Sequence, residues 1–152
     1  MLTAIPKSWL SWNYEFLESD KRLASLTIEW LGERGTLDCG GQLWELSRDG
    51  WYHGTFSIRQ AGRKRASAEK PSALFRSFQV TFDDEDFCWE AESPLTRSFV
   101  LRKGNKVIGS MRPDTAFTRR ATIDLPEELP LERKLFLAWL TLLMWRRAHN
   151  SS

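Results

Sequence analysis

Apolar and polar residues alternate along most of this chain, in one short segment after another. Alternation with a period of two is typical of β-strands that have one face buried and the other in solvent. The pattern therefore predicts many short strands. The apolar residues that alternate are Trp12, Tyr14, Phe16, Leu26, Ile28, Trp30, Tyr52, Phe56, Ile58, Phe78, Val80, Phe82, Phe87, Trp89, Phe99 and Leu101.

Turn-forming residues separate these segments at intervals of about ten residues, which is the spacing of an all-β sandwich or barrel. Glycine, Asp and Asn adopt the backbone conformations that tight turns require. With no helical period between the segments, the pattern predicts an antiparallel meander of about ten to twelve strands. The turn signals are 32–35, 40–41, 49–50, 83–86, 93–94 and 103–105.

The residues after Pro130 follow a different pattern. From Leu131 to Arg147 there is no Gly or Pro, Glu132 favours a helix N-terminus, and Arg146 and Arg147 favour its C-terminus. The sequence therefore predicts a helix over about residues 131–147.

The centre of this helix, Leu135 to Trp145, is apolar on every side, so something other than water must surround it. It is too short to cross a bilayer, which takes about 20 apolar residues. The favoured interpretation is a helix buried in the protein's own core, with an anchor lying in a membrane interface as the alternative. A barrel closed around the helix would cover the sheet, the helix and the sheet edges together. The expected fold is mainly β: a closed antiparallel barrel around a buried C-terminal helix, in one domain spanning 1–152.

Three segments carry a family resemblance: F-x-L-x-x-G-x-x-x-I-G-S at 99–110, R-R-A-T-I-D-L-P at 119–126, and F-L-A-W-L-x-L-L-M-W-R-R at 136–147. Their order in an all-β chain resembles the tubby C-terminal-like superfamily, especially small LURP-one-related and scramblase-like bacterial members. The resemblance implies a twelve-stranded barrel around a central C-terminal helix. It also implies binding to phosphoinositide head groups or action at membranes, although no functional residue of the family maps onto a position here.

The overall charge by itself excludes few classes of function. Lys and Arg number 22 and Asp and Glu 20, so the formal net charge of +2 argues against nucleic-acid binding by overall electrostatics. Cys39 and Cys88 stand apart, outside any metal-binding or redox spacing, and are expected to be reduced, inert thiols. The N-terminal residues lack the apolar run of a secretory signal, so the expected location is the cytoplasm, with peripheral membrane association as a second option.

No catalytic, nucleotide-binding or metal-binding motif is present, so the sequence predicts no catalytic residue, metal or cofactor. His53 is interpreted as a strand or surface histidine rather than a general base. The acidic run from Asp83 to Asp86 lacks the spacing of a calcium loop and is interpreted as a solvated turn. Most of the eight Trp residues are expected in the core, with Trp9 and Trp51 the most exposed.

The candidate site is a cluster of cations around a predicted hairpin tip. Its members are Arg63, Lys64, Arg65, Lys70 and Arg76. Such a cluster suits an anionic lipid head group or a nucleic-acid backbone, because each cation near an anionic membrane contributes about 1 kcal/mol. The alternative is an ordinary solvated loop in which Glu69 and neighbouring acids balance the cations. Arg119-Arg120 and Arg146-Arg147 could add to it or cap their own elements.

The leading hypothesis is a non-enzymatic module that binds an anionic lipid surface or a protein partner through this hairpin. The alternative is an enzyme or small-ligand barrel with a site at the barrel mouth. The sequence leaves the oligomeric state open.

Overall fold

A computed structural model describes residues 1–49 and 54–151 of the chain. Within these ranges the chain forms twelve strands and one helix. The strands are β1 (Leu2–Pro6), β2 (Tyr14–Glu18), β3 (Lys21–Ile28), β4 (Gly35–Cys39), β5 (Gln42–Asp49), β6 (Thr55–Gln60), β7 (Arg63–Glu69), β8 (Ser77–Phe82), β9 (Glu85–Ala91), β10 (Phe99–Lys103), β11 (Lys106–Pro113) and β12 (Ala121–Asp124). The helix, α1, is Leu131–Asn150.

The twelve strands form a closed antiparallel barrel in which each strand pairs with its neighbours in the chain. The last seam joins β1 to β12, where Leu2 pairs with Ile123 and Ala4 with Ala121. Closure leaves no strand edge exposed to another chain. The predicted fold class, a mainly β barrel with one C-terminal helix, is confirmed.

Successive connections in such a meander alternate between the two ends of the barrel. We call one the turn end, because it consists of the two-residue turns 19–20, 40–41, 61–62, 83–84 and 104–105, with the segment 125–130 that leads into α1. Within 1–49 and 54–151, positive φ angles occur at these turns alone, at Ser19, Asp20 and Asp83 among others. The longer connections meet at the opposite end.

The helix fills the barrel. All eleven residues from Leu135 to Trp145 are buried, and their side chains contact strands on different sides of the wall. Trp139 packs edge-on against Phe56 of β6, with ring centroids 5.7 Å apart. Phe136 packs against Phe82 of β8 at 6.5 Å.

One polar contact links the helix to the wall inside this apolar core. The Trp89 indole Nε1 donates a 2.9 Å hydrogen bond to Thr141 Oγ1, whose hydroxyl donates to the Leu137 carbonyl at 3.2 Å. Each polar group in this contact is therefore satisfied, as burial requires.

The structure differs from the sequence pattern at the ends of some elements; Trp12, for example, precedes β2. The alternation through Leu26 and Ile28 does not continue to Trp30, because β3 ends at Ile28 and Trp30 lies 76% exposed in the following connection. The helix extends to Asn150, three residues past the predicted end, so His149 is helical and its ring meets Trp12 edge-on at 6.0 Å.

Replacing Leu140 with Asp should abolish folding, because Leu140 is fully buried inside the barrel. An unpaired buried charge costs several kcal/mol against a total stability of about 5 to 15 kcal/mol. Circular dichroism and the yield of monodisperse protein would measure the loss. Asn150→Asp, on an exposed position of the same helix, is the matched control and should fold normally; equal tolerance of both changes would contradict a buried helix.

Candidate functional site

Most exposed apolar residues and many cations lie at the end of the barrel opposite the turn end. We call it the loop end: the connections 7–13, 29–34, 70–76, 92–98 and 114–120, with residues 146–151 of α1. The helix reaches this end with its C-terminus, since the Trp145 indole donates to the Arg97 carbonyl at 2.9 Å and the Trp139 indole to the Glu33 carbonyl at 3.1 Å. The loop end thus combines connections from the whole circumference with the end of the helix.

Large apolar side chains project into solvent from each of the five loop-end connections that the structure describes in full. Among the described residues, eight of the eleven exposed large hydrophobic residues lie here; the other three are Met1, Leu43 and Val107. The exposure is nearly complete at Leu31 (94%), Leu95 (98%) and Phe117 (99%). We call these eight residues the apolar tips: Trp9, Leu10, Trp30, Leu31, Leu74, Phe75, Leu95 and Phe117.

Charge is also distributed unequally between the two ends. The loop end carries nine Lys and Arg residues against four Asp and Glu residues, a net charge of +5. The connections of the turn end carry five Asp and Glu residues and no cation, a net charge of −5. The connections at the two ends therefore differ in net charge, although the strand residues beside the turn end include the cations Lys21, Arg63, Lys64, Arg65, Lys103 and Lys106.

Arginine side chains tie neighbouring connections of the loop end together through backbone carbonyl oxygens. Arg119 donates to the Ser8 and Ser11 carbonyls at 2.5 and 2.6 Å. Arg146 donates to the Trp30 and Gly32 carbonyls at 2.8 and 2.7 Å. These charge-assisted bonds hold the connections that carry the apolar tips in defined positions.

Further arginines repeat the arrangement elsewhere on the rim. Arg97 donates to the Thr115 and Ala116 carbonyls, and Arg76 to the Ser93 and Pro94 carbonyls, at 2.8 to 3.1 Å. Arg119 and Arg97 also stack over the indoles of Trp12 and Trp145, at 4.8 and 5.0 Å from the ring centroids. The connections thus form one supported rim around the mouth of the barrel.

Three cations converge on a pocket of about 600 Å³ in this rim. Arg48, Lys70 and Arg147 line it, and we call it the basic pocket. Arg147 Nε and Nη2 donate to the two carboxylate oxygens of Glu33 at 2.6 Å each, and Arg48 Nη1 lies 3.5 Å from Glu33 Oε1. Glu33 therefore holds two guanidinium groups next to each other.

The electrostatics of the pocket follow from these contacts. Burial alone would raise the pKa of Glu33, but the hydrogen bonds and charge of Arg147, together with Arg48 and Arg146, outweigh it and lower the pKa. Burial lowers the pKa of Lys70, and the charges of Arg147 and Arg48 lower it further. The pocket therefore has a surplus of positive potential at the Lys70 ammonium.

The structure separates the five predicted site residues into two groups. Arg63, Lys64 and Arg65 are exposed at the start of β7, in the predicted β6–β7 hairpin, next to the turn end. Lys64 lies 3.7 Å from Asp49 Oδ2. Lys70 and Arg76 lie past the other end of β7, roughly 20 Å away at about 3.3 Å per residue, in the loop end.

The remaining candidates from the sequence have structural partners. In the acidic run, Asp83 pairs with Arg133 at 2.6 Å and Glu85 with Lys103 at 2.7 Å. Cys39 and Cys88 are free and half-buried, and burial raises the pKa of both, that of Cys39 to about 11, which disfavours the reactive thiolate. Trp9 is 86% exposed as predicted, whereas Trp51 and His53 lie outside the described residues.

Sequence reasoning missed Arg48, Glu33 and every apolar tip except Trp9, although a signal was present for most of them. In an up-and-down barrel every second connection lies at the same end, and every second connection here contains an unexplained Trp, Leu or Phe. Arg48 follows Trp44 and Leu46 at the same period, so it occupies the last inward position of β5. Glu33 carried no comparable signal, because its role depends on where α1 ends.

Comparison with known proteins adds no assignment: no family model, curated protein or solved structure matches this chain. Within 1–49 and 54–151, no helix combines the length and apolarity that a membrane crossing requires. The same ranges contain no group of three or more His, Cys, Asp or Glu residues placed to hold a metal ion. The tubby-like resemblance stays a prediction.

Replacing Glu33 with Gln should lower the free energy of unfolding at pH 7 by about 1 to 3 kcal/mol, because it removes a charged acceptor from Arg147. Because the pKa of Glu33 is lowered in the folded state, its stabilisation is complete above the ordinary value of 4.5 and is lost as the pH falls below it. The variant should therefore lose part of the acid sensitivity of the parent protein. Urea unfolding from pH 7 to 3 would measure both effects.

Glu29→Gln is the matched control, since Glu29 is exposed in the same connection. It should leave stability at pH 7 unchanged. Equal effects of the two substitutions would contradict the role of Glu33.

Proposed function

We propose that this chain is a non-catalytic module that binds an anionic membrane surface peripherally through its loop end. The observation that carries the proposal is the coincidence of the apolar tips with the surplus of positive charge. Eight large apolar side chains exposed at one end of the barrel, Leu95 and Phe117 among them, indicate a surface that contacts a partner. A bilayer interface accepts Trp, Phe and Leu side chains and attracts cations to its head groups.

The arrangement of the tips favours a lipid surface over a protein partner. Protein interfaces have a contiguous apolar core from which charged residues are depleted. Here the tips stand on five separate connections, with arginines between them. A fluid bilayer adapts to such separate projections, and its phosphates pair with the intervening cations.

The positive charge of the loop end supports an orientation as well as an affinity. A net charge of +5 on the connections and helix end at the loop end would draw that end toward an anionic surface. The helix would stay inside the barrel, because its apolar residues are already enclosed. Contact would then be limited to the tips and the surrounding cations.

This proposal moves the contact away from the hairpin of the sequence hypothesis. Arg63, Lys64 and Arg65 lie beside the turn end, whereas all eight apolar tips lie at the loop end. Lys70 and Arg76 remain part of the proposed surface. The resemblance to tubby-like proteins points to the same class of target.

Replacing Leu95 and Phe117 together with Ser should weaken binding to vesicles containing phosphatidylserine by tenfold or more. Withdrawing a Leu or Phe from an apolar environment costs about 1.5 to 3 kcal/mol, and about 1.4 kcal/mol corresponds to tenfold. Both side chains are almost fully exposed, so the fold should be unaffected. Co-sedimentation over a range of salt concentrations would measure the binding.

Two controls distinguish the surfaces. Leu43→Ser with Val107→Ser removes exposed apolar residues near the turn end, and Arg63→Ala with Lys64→Ala and Arg65→Ala removes the hairpin cations. Both should bind like the parent protein. No binding of the parent protein at low salt, or loss only in the hairpin variant, would refute the proposed contact.

A further inference from the structure

The apolar tips are fixed at their backbones by hydrogen bonds to the rest of the loop end. The Trp30 carbonyl accepts a 2.8 Å bond from Arg146, which ties this tip to α1. The Leu74 N–H donates to Ser72 Oγ at 3.1 Å, which closes the backbone on the N-terminal side of that tip. The positions of these tips are therefore set before any partner is met.

The two most exposed tips are fixed through the residue beside them. The carbonyl that precedes Phe117 accepts a 2.8 Å bond from Arg97, and the carbonyl that precedes Leu95 accepts a 3.1 Å bond from Arg76. Both bonds have a charged donor, which makes them stronger than bonds between neutral groups. Neither tip can move its backbone far without losing one of these bonds.

The tips also stand apart from one another around the rim. Three connections carry an adjacent pair of tips and two carry a single tip. Two strands separate successive connections, in a barrel whose backbone is roughly 24 Å across. A bilayer would therefore have to receive the tips at five separate places at once.

The arginines between the tips contribute charge more than a directed contact. In both Arg119 and Arg146, Nη1 and Nη2 each donate to a backbone carbonyl of the protein. Bidentate recognition of a phosphate uses a pair of parallel N–H groups on one guanidinium. These two arginines attract an anionic surface through their charge, and the tips make the close contacts.

We infer that the loop end selects loosely packed bilayers, in which gaps between the head groups expose acyl chains. The inference rests on the membrane-binding proposal and specifies the kind of lipid surface. Shallow insertion of apolar side chains depends on curvature and lipid composition. Because the tips are fixed at five separate places, they require several gaps at once, and such gaps are frequent where curvature is high or head groups are small.

Binding to small sonicated and large extruded vesicles of one composition, phosphatidylcholine with phosphatidylserine, tests the inference. Affinities are compared per accessible lipid, at a salt concentration that screens the long-range attraction. The parent protein should bind the small vesicles about tenfold more tightly. A vesicle of either size is much wider than the barrel mouth, so its surface is nearly flat across the rim and every tip can reach it.

The variants show which residues sense the packing. Leu95→Ser with Phe117→Ser should lower the ratio of the two affinities, because it removes two of the tips. Leu43→Ser with Val107→Ser, near the turn end, is the matched control and should leave the ratio unchanged. Melting temperatures would show that both variants are folded.

A second comparison separates lipid packing from curvature. Diacylglycerol has a small head group without charge, so adding it to large vesicles opens gaps while the phosphatidylserine content stays constant. The parent protein should bind more tightly when diacylglycerol is present. Leu95→Ser with Phe117→Ser should gain less affinity than the parent protein does.

Two results would overturn the inference: equal affinity of the parent protein for small and large vesicles, or no gain in affinity from diacylglycerol. Either result would leave the membrane proposal intact, provided that the parent protein binds anionic vesicles at low salt. The absence of binding to every anionic vesicle would refute the membrane proposal itself. Failure of one is therefore distinguishable from failure of the other.

Discussion

Every part of this structure depends on enclosing one helix whose central side chains are apolar in all directions. Strands about 4.8 Å apart and tilted by about 40° form, when twelve of them close, a backbone cylinder roughly 24 Å across. The axis of a helix at its centre then lies about 12 Å from each strand, close to the spacing of packed layers. Fewer strands would leave too little room for Phe136 and Trp139, and more would leave a void around them.

Because the helix fills the interior, the barrel has little room for a ligand between Leu135 and Trp145. Residues that could bind a ligand or partner are therefore found at the two ends of the barrel, and the two ends differ in composition. One has two-residue turns and carboxylates; the other has long connections, exposed apolar residues and arginines bonded to backbone carbonyls. The helix contributes here as well, since its C-terminal turn provides Arg146 and Arg147 to the basic end.

Much of the fold could be predicted from the sequence, and less of the candidate site. Alternation around residues such as Phe16, Phe78 and Trp89 predicted strands because the barrel has one apolar face, and the uniform apolarity of 135–145 predicted enclosure. Closeness in sequence does not report closeness in the barrel, because Arg63 and Lys70 lie at opposite ends of one strand. The pairing of Glu33 with Arg147 joins residues more than a hundred positions apart and depends on the final turn of a helix, which no local pattern reports.

The position of the helix after all twelve strands has a consequence for biosynthesis. The ribosome releases the strands before the element around which they must close, and the seam between β1 and β12 joins residues more than a hundred positions apart. Contacts of such long sequence separation form slowly. The apolar inner faces of the strands would therefore stay exposed until residues 131–150 have been synthesised. An unfinished chain with such exposed surface is expected to bind chaperones.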